Sequence, residues 1–232
     1  MNPNLFTFDI ETAPLDDADL RHMEPEFAAP ANYKDPDKIA AYIADARATW
    51  KQKAALSPLT GRVIMFPHLR SGDSPAVDLI GGDGQDWAEQ AERALLYMAW
   101  ARIERAAGDG ALLCGWNSHR FDVPFLLRRS WALGVEIPRI ATPRRLGLPW
   151  VDGMLEFTRH APGEYVSLDT ASRFLDTGRK TGDGAMVGQL LRQQPEQAIA
   201  YALNDVMLTE ANLLKMGIHE MGAPTPASTE AY

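Results

Sequence analysis

Residues 5–12, Leu5-Phe6-Thr7-Phe8-Asp9-Ile10-Glu11-Thr12, begin as a strand and end as a candidate site. Aromatic, aliphatic and threonine side chains favour extended backbone, and apolar residues on both faces predict a central strand covered on either side. Asp9 interrupts that run, and a carboxylate there is costly unless paired or metal-bound. Glu11 follows two residues later. Strand side chains alternate with a period of two, so both carboxylates project from one face and can share a cation. The spacing alone carries little weight. With 31 acids in 232 residues, chance supplies about four such pairs. Asp17/Asp19, Glu24/Glu26 and Asp35/Asp37 are others, but they fall in polar sequence. Asp9 and Glu11 are therefore either a shared cation site or solvated acids at a strand end.

Downstream, the composition over 16–56 shifts to Ala, Lys, Asp and Glu, with Pro25, Pro30 and Pro36. This reads as an insertion between the first two strands. Within it, 35–56 predicts an amphipathic helix with Ile39, Ile43, Ala46 and Trp50 on one face. Strands are predicted at 62–69 and 76–80, separated by the turn cluster Ser71-Gly72-Asp73-Ser74-Pro75. A helix over 86–107 would bury Trp87, Ala91, Leu95 and Met98 and stop at Gly108. A short apolar strand at 111–115 precedes a helix at 122–133, stopped by Gly134, and 150–152 predicts a brief edge strand. Helices follow at 168–175, 186–192 and 195–216, the last opened by Pro195, where no backbone donor is needed. Together these elements predict an α/β domain with a mixed five-stranded sheet. The polar, Pro-rich tail 222–232 is expected to be disordered.

The formal charge is -8, from 23 basic and 31 acidic residues. That balance excludes a protein that coats nucleic acid by bulk attraction, and equally a basic membrane-surface binder. A single cysteine, Cys114, excludes an intramolecular disulfide and a Cys-cluster zinc site. No apolar run is long enough for a membrane helix. The opening Met1-Asn2-Pro3-Asn4-Leu5 lacks the basic and apolar regions of a secretory signal, so a cytoplasmic protein is expected.

Two further features carry chemistry. In Gly115-Trp116-Asn117-Ser118-His119-Arg120-Phe121-Asp122 a strand runs through a loop into a helix. Asp122 at that helix start fits a simple cap as well as a site. In the last helix, Tyr201 and Asp205 stand at i and i+4 and project from one face, although Tyr201 fits core packing equally.

Taken in order, Phe8-Asp9-Ile10-Glu11-Thr12, Asn117 with Phe121-Asp122, and Tyr201 with Asp205 resemble the motifs of the DEDD superfamily of 3′–5′ exonucleases, in its tyrosine branch. The segments Ala55-Leu56-Ser57-Pro58, Gly61-Arg62-Val63-Ile64 and Ser167-Leu168-Asp169 through Lys180 add to the likeness. They look like those of stand-alone relatives of the family B DNA polymerase proofreading domain. The resemblance implies a ribonuclease H-like fold with helices on both faces of the sheet, and one exonuclease domain over 1–221. It implies two Mg²⁺ or Mn²⁺ ions, with Asp9 bridging both, Glu11 and Asp205 completing the first site, Asp122 holding the second through water, and Tyr201 orienting the attacking water. Oxygen ligands suit these hard ions better than His or Cys.

The implied substrate is the 3′ end of single-stranded DNA, released as nucleoside 5′-monophosphates. An exoribonuclease on the same scaffold, a non-catalytic nucleic-acid-binding module and a small-molecule phosphatase are the alternatives. Thr12, Asn117 and Phe121 flank the acids and are expected at the terminal nucleotide, with a core role competing for Phe121. Lys180, in a glycine-rich loop, is expected at a phosphate. Arg120, Arg128, Arg129, Arg139, Arg144 and Arg145 cluster against only Asp122 and Glu136 over 118–146, an excess able either to guide a backbone or to line a solvated surface. Asp152 reads as either a fifth acid near the site or a strand-end residue.

Overall fold

The computed structural model describes residues 4–80, 89–141, 147–182 and 187–220. The expected disorder of 222–232, the helix start at 86–88 with Trp87, the helix residue Met186, and Arg144 and Arg145 lie outside the described residues. The strands are β1 (Leu5–Phe8), β2 (Glu11–Pro14), β3 (Gly61–Arg70), β4 (Ala76–Leu79), β5 (Leu112–Gly115) and β6 (Trp150–Asp152). The helices are α1 (Asp17–Met23), α2 (Pro36–Lys53), α3 (Glu89–Gly108), α4 (Asp122–Leu133), α5 (Gly153–Phe157), α6 (Leu168–Leu175), α7 (Val187–Gln193) and α8 (Pro195–Lys215).

The sheet is mixed and six-stranded, against an expectation of five. The difference lies at Asp9–Ile10, where the first strand breaks in two. Phe8 pairs with His68 and Glu11 with Met65, both antiparallel and in one continuous register along β3. A bulge follows between Glu11 and Thr12, bending the strand at the end of the acid pair. His68 and Met65 also pair with Ala76 and Leu79 of β4, so β1 and β2 occupy the same edge of β3. β5 runs parallel to β1, and β6 parallel to β5.

Alternation along β1 sends its side chains to two separate cores. Phe6 and Phe8 join Leu95, Leu96, Ala99 and Ile103 of α3 and Phe125 and Leu126 of α4. Each fully buried ring contributes about 1.5–3 kcal/mol of transfer free energy. On the opposite face Leu5 meets Cys114, Val151 and Leu213 of α8. Helices thus cover both faces, as an α/β sheet of ribonuclease H-like type requires.

Two helix faces differ from expectation in instructive ways. Ile39, Ile43, Ala46 and Trp50 do share one side of α2, but they are only half-buried, and α2 has no fully buried residue. Its cover is thin, with Phe27 packed edge-on against Trp50. On α3 the buried stripe is Leu95, Leu96, Ala99, Trp100, Ile103 and Ala106, while Met98 is exposed. The displacement follows from Glu92, which is buried and turned inward. Its carboxylate accepts from the Val63 amide at 2.9 Å and pairs with Arg129 at 2.7 Å. That pair also removes Arg129 from the surface arginines expected around 118–146.

Candidate functional site

Asp9, in the break after β1, and Glu11, the first residue of β2, lie on the face that α8 covers, and α8 brings Asp205 to meet them. Ligand atoms of these three carboxylates lie within 4.8 Å of one another. Period-two geometry accounts for the first two, and the core packing of α8 places the third. Two buried oxygens, Glu11 Oε1 and Asp205 Oδ1, have no hydrogen-bond partner. Buried polar atoms are seldom left so. An all-oxygen donor set with unsatisfied lone pairs fits a hard divalent cation such as Mg²⁺ or Mn²⁺, so these residues could hold one.

Asp122 stands apart from that triad but touches it. The residue is 2% exposed, and its Oδ1 accepts the Ile10 amide at 3.0 Å. The helix N-cap is Phe121, which makes no side-chain cap bond. The capping role that Asp122 fitted in sequence is therefore absent. The carboxyl points instead into the break between β1 and β2 and hydrogen-bonds with Asp9.

Burial, and after it the crowding of like charges, sets the acid strengths. Burial, then Asp9 and Asp205, hold Glu11 well above the ordinary carboxylate range, with Lys180 opposing. Burial followed by Asp9 does the same to Asp122. Asp205 is pushed up to about 6 by burial and Asp9, against the pull of Lys180 and Tyr201. Clustered carboxylates repel unless a proton or a cation intervenes.

Lys180 supplies a cation. Its Nζ lies 2.5 Å from Asp205 Oδ2 and 5.1 Å from the centre of the Tyr201 ring. The loop after α6 reaches this position because Gly178, at φ 144°, passes close under Leu208, where a Cβ would sit 2.7 Å from a methyl. Tyr201 is 4% exposed, and it packs in the core and hydrogen-bonds Asp205 at once. Burial raises its hydroxyl above the ordinary tyrosine value, so it stays protonated.

The acids open into a cleft of about 340 Å³, whose wall includes Thr12, Asn117, Phe121 and Lys180. Each residue expected at the substrate thus lines one cavity. Phe121 does so while packing against Phe125 at 5.6 Å, which joins the two roles weighed for it. Asn117 adopts φ 61°, a left-handed conformation that Asn tolerates.

That turn is held by Asp152, which accepts from the amides of Asn117 and His119 at 2.9 and 3.0 Å and from Met154 and Leu155. Asp152 is thus a scaffold acid. Sequence reasoning also passed over Trp116, Tyr165 and Leu56 as cleft residues. The last two are strongly exposed apolar side chains, a property that a linear pattern does not display.

A solved structure of the family B DNA polymerase from the hyperthermophilic archaeon Pyrobaculum calidifontis matches 95% of this chain, with 15% sequence identity and a TM-score of 0.56. The likeness is one of fold. This chain spans 25% of the length of that polymerase chain. No protein-family model and no curated protein matches the sequence. Among the described residues, no helix is long and apolar enough to cross a membrane.

Proposed function

We propose that the chain is a metal-dependent 3′–5′ exonuclease acting on single-stranded DNA, with residues 1–221 as one catalytic domain. The observation that carries this reading is the convergence of Asp9, Glu11 and Asp205 around unsatisfied buried oxygens, with Asp122 and Tyr201 in contact with that cluster. Asp9, Glu11 and Asp205 would hold one ion, and Asp9 with Asp122 a second. Such a pair neutralises charge on the scissile phosphate and makes a water nucleophilic near neutral pH.

The protein's own groups do the rest. A water oxygen bonds to the phosphorus of the terminal linkage and gives up a proton to solvent. The bond to the preceding O3′ breaks, that oxygen takes up a proton from solvent, and a nucleoside 5′-monophosphate leaves. Tyr201 stays protonated, so it positions that water by hydrogen bonding and takes no proton. Lys180 is placed to pass from Asp205 to a phosphate oxygen. Thr12, Asn117 and Phe121 line the space for the terminal nucleotide. The preference for DNA rests on the likeness to a DNA polymerase, since none of these side chains is assigned to a sugar 2′-hydroxyl.

A direct test incubates 5′-labelled single-stranded DNA and RNA with Mg²⁺, Mn²⁺ or EDTA, beside Asp9→Ala. Shortening from the 3′ end that needs both metal and Asp9 is expected, faster on DNA. Internal cleavage, or activity that survives Asp9→Ala, overturns the reading, and faster RNA shortening reassigns the substrate.

A further inference from the structure

Aromatic rings run from the wall of the cleft to open surface. Trp116 lines the cleft. Its indole donates to the Val166 carbonyl at 2.9 Å and packs over Gly153, where a Cβ would come within 2.9 Å of it. The Phe157 ring lies 6.1 Å from that of Trp116, and Phe174 stands 5.8 Å beyond, edge to face at 88°. Phe174 is nonetheless 77% exposed. It sits in the last turn of α6, while Leu168 and Ala171 of that helix face inward. Tyr165, in the segment leading to α6, lines the cleft and is 66% exposed.

We infer that Trp116, Phe157, Phe174 and Tyr165 form a stacking track for the unpaired bases that lie 5′ of the terminal nucleotide. This rests on the function proposed above. The track is continuous with the cleft, so a strand whose 3′ end reaches the acids lies next to it. Every base has a π-face, and aromatic platforms therefore grip single strands without regard to sequence. Trp116, Phe157 and Phe174 are already held by one another, so little side-chain freedom is lost there when a base arrives. Charge complements the strand as well. Arg159 and Arg173 adjoin the track in the chain and keep 85% and 53% of their side chains exposed. Each pairs with an acid within one helical turn, Glu156 at 3.8 Å and Asp169 at 3.0 Å, and such exposed pairs are weak enough for a phosphate to compete for the guanidinium. Paired bases present no open face, so the track selects unpaired strands.

The test compares the full chain with Phe174→Ala and Phe174→Trp. Binding of fluorescein-labelled thymidine oligonucleotides, two and ten nucleotides long, is read by anisotropy with EDTA present, and hydrolysis is read with Mg²⁺. Phe174→Ala should weaken binding of the longer strand about 5- to 100-fold and leave the dinucleotide unchanged in both assays. Phe174→Trp should restore affinity. A ten-nucleotide strand left abasic beyond its two 3′-terminal bases should bind the native and Phe174→Ala proteins alike. Equal affinity of native protein and Phe174→Ala for the intact longer strand overturns the track and reassigns Phe174 to contact with a protein. Native protein that neither binds nor shortens any strand overturns the exonuclease reading itself, and the track with it.

Discussion

The ammonium of Lys180 sits 2.5 Å from Asp205 Oδ2 and 5.1 Å from the centre of the Tyr201 ring. Both partners stand on α8, one turn apart, and Lys180 arrives from a loop more than twenty residues earlier. This contact gives the acid cluster a positive charge of its own. It also covers the face of the tyrosine proposed to position water.

Removing that charge should expose the repulsion it offsets. Lys180→Met should lower unfolding free energy in EDTA by about 3 kcal/mol, the scale of a buried pair left with one member. Saturating Mg²⁺ should recover most of the loss, since a ligand of the native state stabilises by mass action. Urea unfolding with and without metal measures both. Equal stability of native protein and variant in EDTA would count against a counter-charge role.

Acid strength in the cluster also sets a pH response. Asp205 is raised to about 6 from an ordinary 3.8, so the folded state prefers its protonated form. Stability from this group is therefore full below its unfolded value and falls as pH rises through about 6. Burial holds His68 and His119 below their ordinary value, which works in the opposite sense, but a comparison with Asp205→Asn cancels them. In EDTA the advantage of that variant over native protein should grow by about 2 kcal/mol between pH 4.5 and pH 7.5. A constant difference between the two pH values would contradict the shift.

Asp122 combines a structural acceptor with a proposed ligand, and two substitutions separate these roles. Asp122→Asn keeps an oxygen for the Ile10 amide, so it should fold normally while losing hydrolysis. Asp122→Ala leaves that buried donor unpaired and should cost about 1–3 kcal/mol in addition. Chemical denaturation beside the labelled-strand assay separates the outcomes, and full activity in Asp122→Asn would remove it from the site.

Tyr201→Phe retains the ring over which Lys180 sits and removes only the hydroxyl. A group that positions water should then cost about 100-fold in kcat with little change in KM. Because the hydroxyl is raised above its ordinary range, the native rate profile should show no inflection from it below pH 10. A rise in KM at unchanged kcat would move Tyr201 from the water to the substrate.

Much of this site could be read from residues that local periodicity governs. Asp9 and Glu11 follow strand alternation, and Tyr201 and Asp205 follow one helical turn. The stops at Gly134 and Asp176 behave alike as left-handed ends, but only the glycine announces itself in sequence. Less was legible where a polar residue is buried by a distant partner. Glu92 looks like an outward helix acid, yet Arg129 and the Val63 amide turn it inward and rotate the α3 stripe. Asp122 fits a cap as well as a site in sequence, because its acceptor role depends on a strand break more than a hundred residues away. Lys180 reads as a phosphate contact in sequence, but its contact with Asp205 depends on how the loop closes over α8.

The bond between the Ile10 amide and Asp122 Oδ1 has a consequence for how the site can be watched. β5 pairs with β1 as far as Thr7 and Cys114, and beyond that point the central strand takes its acceptor from α4. One backbone proton in the middle of the sheet is therefore sheltered by a site carboxylate. Its hydrogen–deuterium exchange rate is a clock for the integrity of the acid cluster, readable without substrate, label or turnover.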